Sequence, residues 1–155
     1  MTVSPLVIVQ SENFDATAIV SAMTTGQTDI GAVATFTGLC RSEGDTLDAL
    51  ELEHYPGMAE AEIRRSAEEA CKRWPLDGLT VIHRYGVIEV GEQIVFVAAT
   101  SRHRDAAFDG ARYVMDFLKT NAPFWKKEHR NDGSSGEWVD AQEEDEAAKE
   151  RWNDT

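Results

Sequence analysis

Cysteine is scarce in this chain: Cys40 and Cys71 are the only two among 155 residues. Neither has a second thiol or a histidine at metal-ligand spacing, which argues against a disulfide framework or a structural zinc site and favours a reducing, cytoplasmic compartment. Four histidines are present, none spaced as ligands, so no metal is expected. Proline is rare, at four residues, and 42% of the chain is hydrophobic, which excludes a disordered segment as the bulk of the protein. No apolar stretch approaches the roughly 20 residues that span a bilayer, and no basic region precedes the first apolar run at 6–9; neither a membrane span nor a secretory leader is expected. Positive charge is also short. Fifteen Lys and Arg stand against 28 Asp and Glu, for a net charge of -13. A polyanion held by counterion release needs a basic surface, so general nucleic-acid binding is excluded.

What basic charge there is lies in one place. Between Arg102 and Arg130 there are seven Lys or Arg and four acids, a local positive excess in an otherwise acidic chain. Such an island focuses a small anion while the rest of the surface repels large ones. The alternative is a solvated basic helix face.

The length fits one domain, 1–155, with an acidic tail at about 142–155. Residues 6–10 read as a strand, and Asp15 as the N-cap of a helix through Met23. Strands are expected at 31–37 and 47–54, open to pairing with each other through a polar connection too long for a tight hairpin. After Pro56-Gly57, Ile63, Ala67, Ala70, Cys71 and Trp74 recur at the spacing of a buried helical stripe, which Pro75 ends. Strands are expected at 79–85, 87–90 and 93–101, the last apolar on both faces as a covered central strand would be. A second helix is expected over 105–119, with Ala107, Ala111, Val114, Met115 and Leu118 inward. Residues 124–129 form an aromatic and basic segment, 131–136 a loop, and 137–141 a short strand. Strands with two long helices indicate an α+β fold.

Several side chains are candidates for chemistry. Arg41 follows a glycine-bearing strand end and is a forked donor for phosphate or carboxylate; a surface role is the other reading. Ser101, Arg102, His103 and Arg104 fall where the central strand gives way to a helix N-terminus, a setting for phosphate. Lys119 ends that helix and Lys126 follows Pro123-Phe124-Trp125, so a fold-back at the proline would bring the two amines to one pocket walled by Phe124 and Trp125. Equally, lysines at a helix C-terminus complement its dipole. Cys40 and Cys71 read as packed core residues, and His54 and His83, in strand-like runs, as structural.

These signals coincide in one family. The blocks VATFTGLCR, LELEHYPGMAEAEI, the long run from Arg73 to Glu128, and GEWVDA resemble those of molybdopterin synthase large subunits; HYPGM, SRHR and LKTxAPFWKKE are specific in combination. The resemblance implies an α/β hammerhead-type fold with a smaller β-rich subdomain. It also implies a homodimer whose subunits each bind a small ubiquitin-like sulfur carrier ending in Gly-Gly, giving a heterotetramer. The implied reaction moves two sulfurs from the carrier's C-terminal thiocarboxylate to cyclic pyranopterin monophosphate, with no cofactor of the chain's own. By position, Lys119 and Lys126 match catalytic lysines, Arg41, His103 and Arg104 match residues binding the anionic substrate, and Lys127 and Glu128 flank them. Two other classes remain open: a binding module without turnover, and a lysine Schiff-base enzyme, which a borohydride-trapped adduct on Lys119 would reveal.

Overall fold

The computed structural model describes residues 2–121 and 123–139. Along them run β1 (Leu6–Gln10), α1 (Ala16–Thr24), β2 (Ala32–Leu39), β3 (Leu47–His54), α2 (Met58–Arg73), β4 (Leu76–Arg84), β5 (Gly86–Glu89), β6 (Gln93–Ser101), α3 (Arg104–Asn121) and β7 (Phe124–Arg130). The strands form a four-stranded sheet in the order β1-β4-β6-β2 and a three-stranded sheet in the order β5-β3-β7. β1 and β4 are parallel and every other pair is antiparallel. This is the expected α+β architecture, with the smaller sheet as the β-rich part.

Alternation along β6 explains the layering, because successive side chains of a strand face opposite ways. Val95, Val97 and Ala99 face a core shared with Ile63, Ala67, Ala70 and Cys71 of α2 and Ala107, Ala111, Val114 and Leu118 of α3. Phe96 and Ala98 face the other side, where Phe14, Ile19, Val20 and Met23 pack from α1 and the segment before it. Asp15 caps α1 as expected, accepting a hydrogen bond from the Ala18 N–H at 3.0 Å. A third cluster, Cys40, Leu47, Leu52 and Ile88 with Ile94 against it, joins the small sheet to the end of the large one.

Three expectations change. The segment at 124–129 is strand β7, paired in register with β3 from Phe124 opposite His54 to Glu128 opposite Leu50. β2 and β3, which are neighbours in sequence, belong to different sheets. Within the strand expected at 137–141, the described part has only a bridge at Val139, hydrogen-bonded to Lys126 in both directions at 2.9 Å. Residues 140 and 141 and the acidic tail lie outside the described residues.

Candidate functional site

Lys119 stands in the last turn of α3, one helical turn beyond Met115 and on the same face. The helix end meets the large sheet at a narrow cavity of about 100 Å³, lined by Phe36, Gly38 and Leu39 of β2, His83 of β4, Ile94 and Val95 of β6, and Met115, Leu118 and Lys119. Its polar side chains are the Lys119 ammonium and the His83 imidazole, and among the described residues no carboxylate lines it. Gly38 keeps one wall thin, since a Cβ there would lie 2.7 Å from Val95 Cγ1.

β7 brings the second lysine to this region. Alternation puts Phe124, Lys126 and Glu128 on one face of β7 and Trp125, Lys127 and His129 on the other. The Phe124 ring stacks on His83 with centroids 3.9 Å apart and planes 16° from parallel. Lys126 therefore follows Phe124 along the face turned toward the ring that lines the Lys119 cavity. The chain does fold back at Pro123 to stack Phe124 on His83, but Lys126 itself is not among the residues that line the Lys119 cavity.

On the opposite face, Trp125 meets Tyr55 edge-on at 5.9 Å. With Glu53, His54, Pro56 and Trp138 they line a separate, open groove of about 460 Å³. Trp125 is thus no wall of the lysine cavity, a correction to the sequence reading. Lys127 also lies on that face, its Nζ 4.7 Å from the Trp138 ring centroid. Glu128 shares the Lys126 face and sits 3.9 Å from Arg130.

Burial holds the His83 pKa down to about 4, with the Lys119 charge acting in the same direction. The unfolded chain takes that proton near the ordinary value of 6.5, so it binds more protons than the folded chain between pH 6.5 and 4. Stability from this group is complete above the upper value and lost as pH falls toward the lower one, by about 3 kcal/mol. Urea unfolding of the wild type and His83→Gln across this window checks it: the wild type should lose more stability than the variant.

Residues 9–121 match the model of the MoaE protein family. The chain belongs to the MoaE family. A molybdopterin synthase catalytic subunit from Mesorhizobium japonicum is 60% identical over 149 residues, 96% of this chain and 94% of that one. The Escherichia coli protein of the same description is 51% identical over 124 residues, 79% of this chain and 81% of its own. Among solved structures, the molybdopterin biosynthesis MoaE protein from Burkholderia ambifaria superimposes with a TM-score of 0.82 at 44% identity, covering 96% of this chain and 98% of that one. The chain is therefore a biosynthetic enzyme of the molybdopterin synthase catalytic-subunit family.

The remaining positions singled out by the MoaE resemblance lie elsewhere. Arg41 is exposed in the connection beyond β2, two residues past the cavity-lining Leu39, and pairs loosely with Glu43 at 3.6 Å. His103 and Arg104 are exposed at the N-terminus of α3. Ser101 is not available there: buried, its hydroxyl donates to the Pro75 carbonyl at 2.8 Å and accepts from the His103 N–H. Arg102 reaches Asp29 at 3.7 Å. The two cysteines are core residues as expected, and burial raises both thiols, Cys71 to about 11, so neither is a ready sulfur nucleophile.

The arginine loop rests on Gly31, whose N–H donates to the Ser101 carbonyl at 3.0 Å. A Cβ at Gly31 would press into the Arg102 carbonyl oxygen, a backbone atom with no rotamer to yield. Gly31→Ala is expected to cost about 1–3 kcal/mol of stability and to shift the loop bearing His103 and Arg104. Denaturant unfolding and phosphate-substrate affinity measure the two effects.

His83, read from the sequence as structural, is found lining the Lys119 cavity. It sits inside an ordinary apolar strand, and only the meeting of β2, β4, β6 and α3 places it beside Lys119.

Proposed function

We propose that this chain moves two sulfur atoms from the C-terminal thiocarboxylate of a small ubiquitin-like partner ending in Gly-Gly to cyclic pyranopterin monophosphate, forming the dithiolene of molybdopterin. The observation that carries the reading is the Lys119 cavity. At about 100 Å³ and too narrow for bulky groups, it suits a chain end without side chains, and its ammonium matches an anionic terminus. At each of two side-chain carbons of the pterin, the thiocarboxylate sulfur forms a C–S bond as a C–O bond breaks. The oxygen leaves as water from the carbonyl carbon or stays on the phosphate as the cyclic ester opens. Water then adds to the acyl carbon of the resulting thioester, and the bond from that carbon to sulfur breaks. The partner leaves as a carboxylate while the sulfur stays on the pterin as a thiolate. The lysines stabilise the negative charge that develops at the acyl carbon, and fixed positions spare the reaction the entropy of assembling them. The partner supplies the sulfur, and the chain needs no cofactor of its own. Two free, buried thiols fit a reducing cytoplasm.

Arg104 and Lys119 stand at opposite ends of α3, separated by about 22 Å of helix rise, longer than a tricyclic pterin monophosphate. That separation favours a site in which the phosphate at His103 and Arg104 and the lysine that meets the pterin come from different chains. In the homodimer of this reading, one subunit contributes the lysines and Arg41, and its partner's helix N-terminus holds the phosphate.

Reconstitution tests the proposal: purified chain, thiocarboxylated partner and cyclic pyranopterin monophosphate, with mass spectrometry of the pterin. A product gaining two sulfurs only when all three are present supports it. Binding of partner and substrate without sulfur transfer contradicts it and favours a module without turnover.

A further inference from the structure

Lys119 carries its amine on a flexible four-carbon stem at an exposed helix end, where rotamer entropy of about 2 kcal/mol works against any single position of Nζ. Something must hold the amine over the cavity if it is to meet a reacting group. A carboxylate would do so at the expense of the charge the reaction uses, and among the described residues none lines the cavity. Among the described residues, the polar side chain that does, besides Lys119, is His83.

Its ring is fixed twice. Nδ1 lies 2.8 Å from the Arg84 carbonyl oxygen, and one face stacks on Phe124. The carbonyl is itself on firm backbone, because the buried Arg84 guanidinium donates to the Ser11 and Gln93 carbonyls at 3.1 and 2.8 Å. A carbonyl oxygen only accepts, so Nδ1 carries the proton, and in the neutral ring Nε2 is a bare acceptor. Among the described residues Nε2 has no hydrogen-bond partner, yet no buried polar atom is left unsatisfied; Nε2 is therefore open to the cavity it lines.

We propose that His83 is a positioning residue for Lys119: its unpartnered Nε2 accepts one N–H of the Lys119 ammonium when the amine turns into the cavity to meet substrate, fixing Nζ while leaving two donors and the full positive charge for the reacting thiocarboxylate. The depressed basicity of the ring fits this role, since a protonated imidazole would repel the ammonium. His54, whose ring lies 5.8 Å from the same Phe124, is the other titratable neighbour and stands on the small-sheet side. The inference rests on the role proposed for Lys119.

Two substitutions separate positioning from structure. In His83→Asn the amide N–H2 replaces the Nδ1 donor to the Arg84 carbonyl but nothing stands at the Nε2 position. In His83→Gln the amide oxygen reaches that position and restores an acceptor. With thiocarboxylated partner and pterin substrate, His83→Asn is expected to lose about 10- to 100-fold in kcat, the worth of one hydrogen bond to a charged group. KM for both reactants should stay within about twofold, as a group acting only on the reacting centre requires. His83→Gln should recover most of the loss.

Wild-type kcat in His83→Asn, or equal loss in both variants tracking their thermal stability, overturns the positioning role. Lys119→Ala in the same assay keeps the two readings apart. If it is inactive while His83→Asn is normal, only the positioning role fails; if it is fully active, the role of Lys119 fails and that of His83 with it. Acylation of Lys119 by an amine reagent, followed by peptide mass mapping, reads the contact without turnover: the rate should change in His83→Asn and return in His83→Gln, and identical rates in all three proteins contradict the contact.

Discussion

Lys119→Ala should lose about a thousandfold or more in single-turnover sulfur transfer, the scale seen when one preorganised donor to a developing negative charge is removed. The fold should be untouched. Lys119 is exposed, it ends α3 without filling core space, and the helix is held by Ala107, Ala111, Val114 and Leu118 against the sheet. The alanine variant gives up a favourable interaction with the helix dipole and little else. Rapid-quench measurement of product beside a thermal melt checks both halves. An inactive variant with a wild-type melt supports the assignment, whereas an active one removes Lys119 from the mechanism.

Mixing two dead variants should restore activity. If each site takes its lysines from one subunit and its phosphate-binding helix end from the other, a Lys119→Ala homodimer and an Arg104→Ala homodimer both lack two working sites. In a mixed dimer, one site combines both defects and the other combines none. Random exchange of equal amounts then returns about a quarter of wild-type activity, because half of the dimers are mixed and each has one of its two sites intact. Were Arg104 and Lys119 to serve the same site within one chain, every site in the mixture would carry a defect and no activity would return. The helix geometry makes the first outcome the expected one, because about 22 Å of backbone rise separates the two residues along α3.

Much of this was legible in the sequence, wherever the signal is local. The stripe Ile63, Ala67, Ala70, Cys71 is buried as its spacing required, and the double-faced apolar run of β6 is the covered central strand. Lys119 and Lys126 were singled out by their place around Pro123. β7 was not read as a strand because FWKKEHR mixes aromatic and charged residues on both faces and is half-buried throughout, so no apolar alternation marks it. Its partner β3 supplies the register instead. That β2 and β3 part into two sheets depends on pairing with β6 and β7, far along the chain. His83 and the wrong side assigned to Trp125 have the same origin. Which face of a strand looks into a cavity is decided by the elements that close it, and for this cavity those come from four separate parts of the chain.

The most direct test follows the sulfur. The partner's thiocarboxylate is prepared with a heavy sulfur isotope and mixed with the chain and unlabelled cyclic pyranopterin monophosphate, and the product is weighed together with the spent partner. The account requires two heavy sulfurs in each molybdopterin and two partner molecules returned as carboxylates, with label transfer lost in Lys119→Ala. Product carrying light sulfur, or label appearing on Cys40 or Cys71, would contradict it and move the sulfur donor away from the partner's terminus.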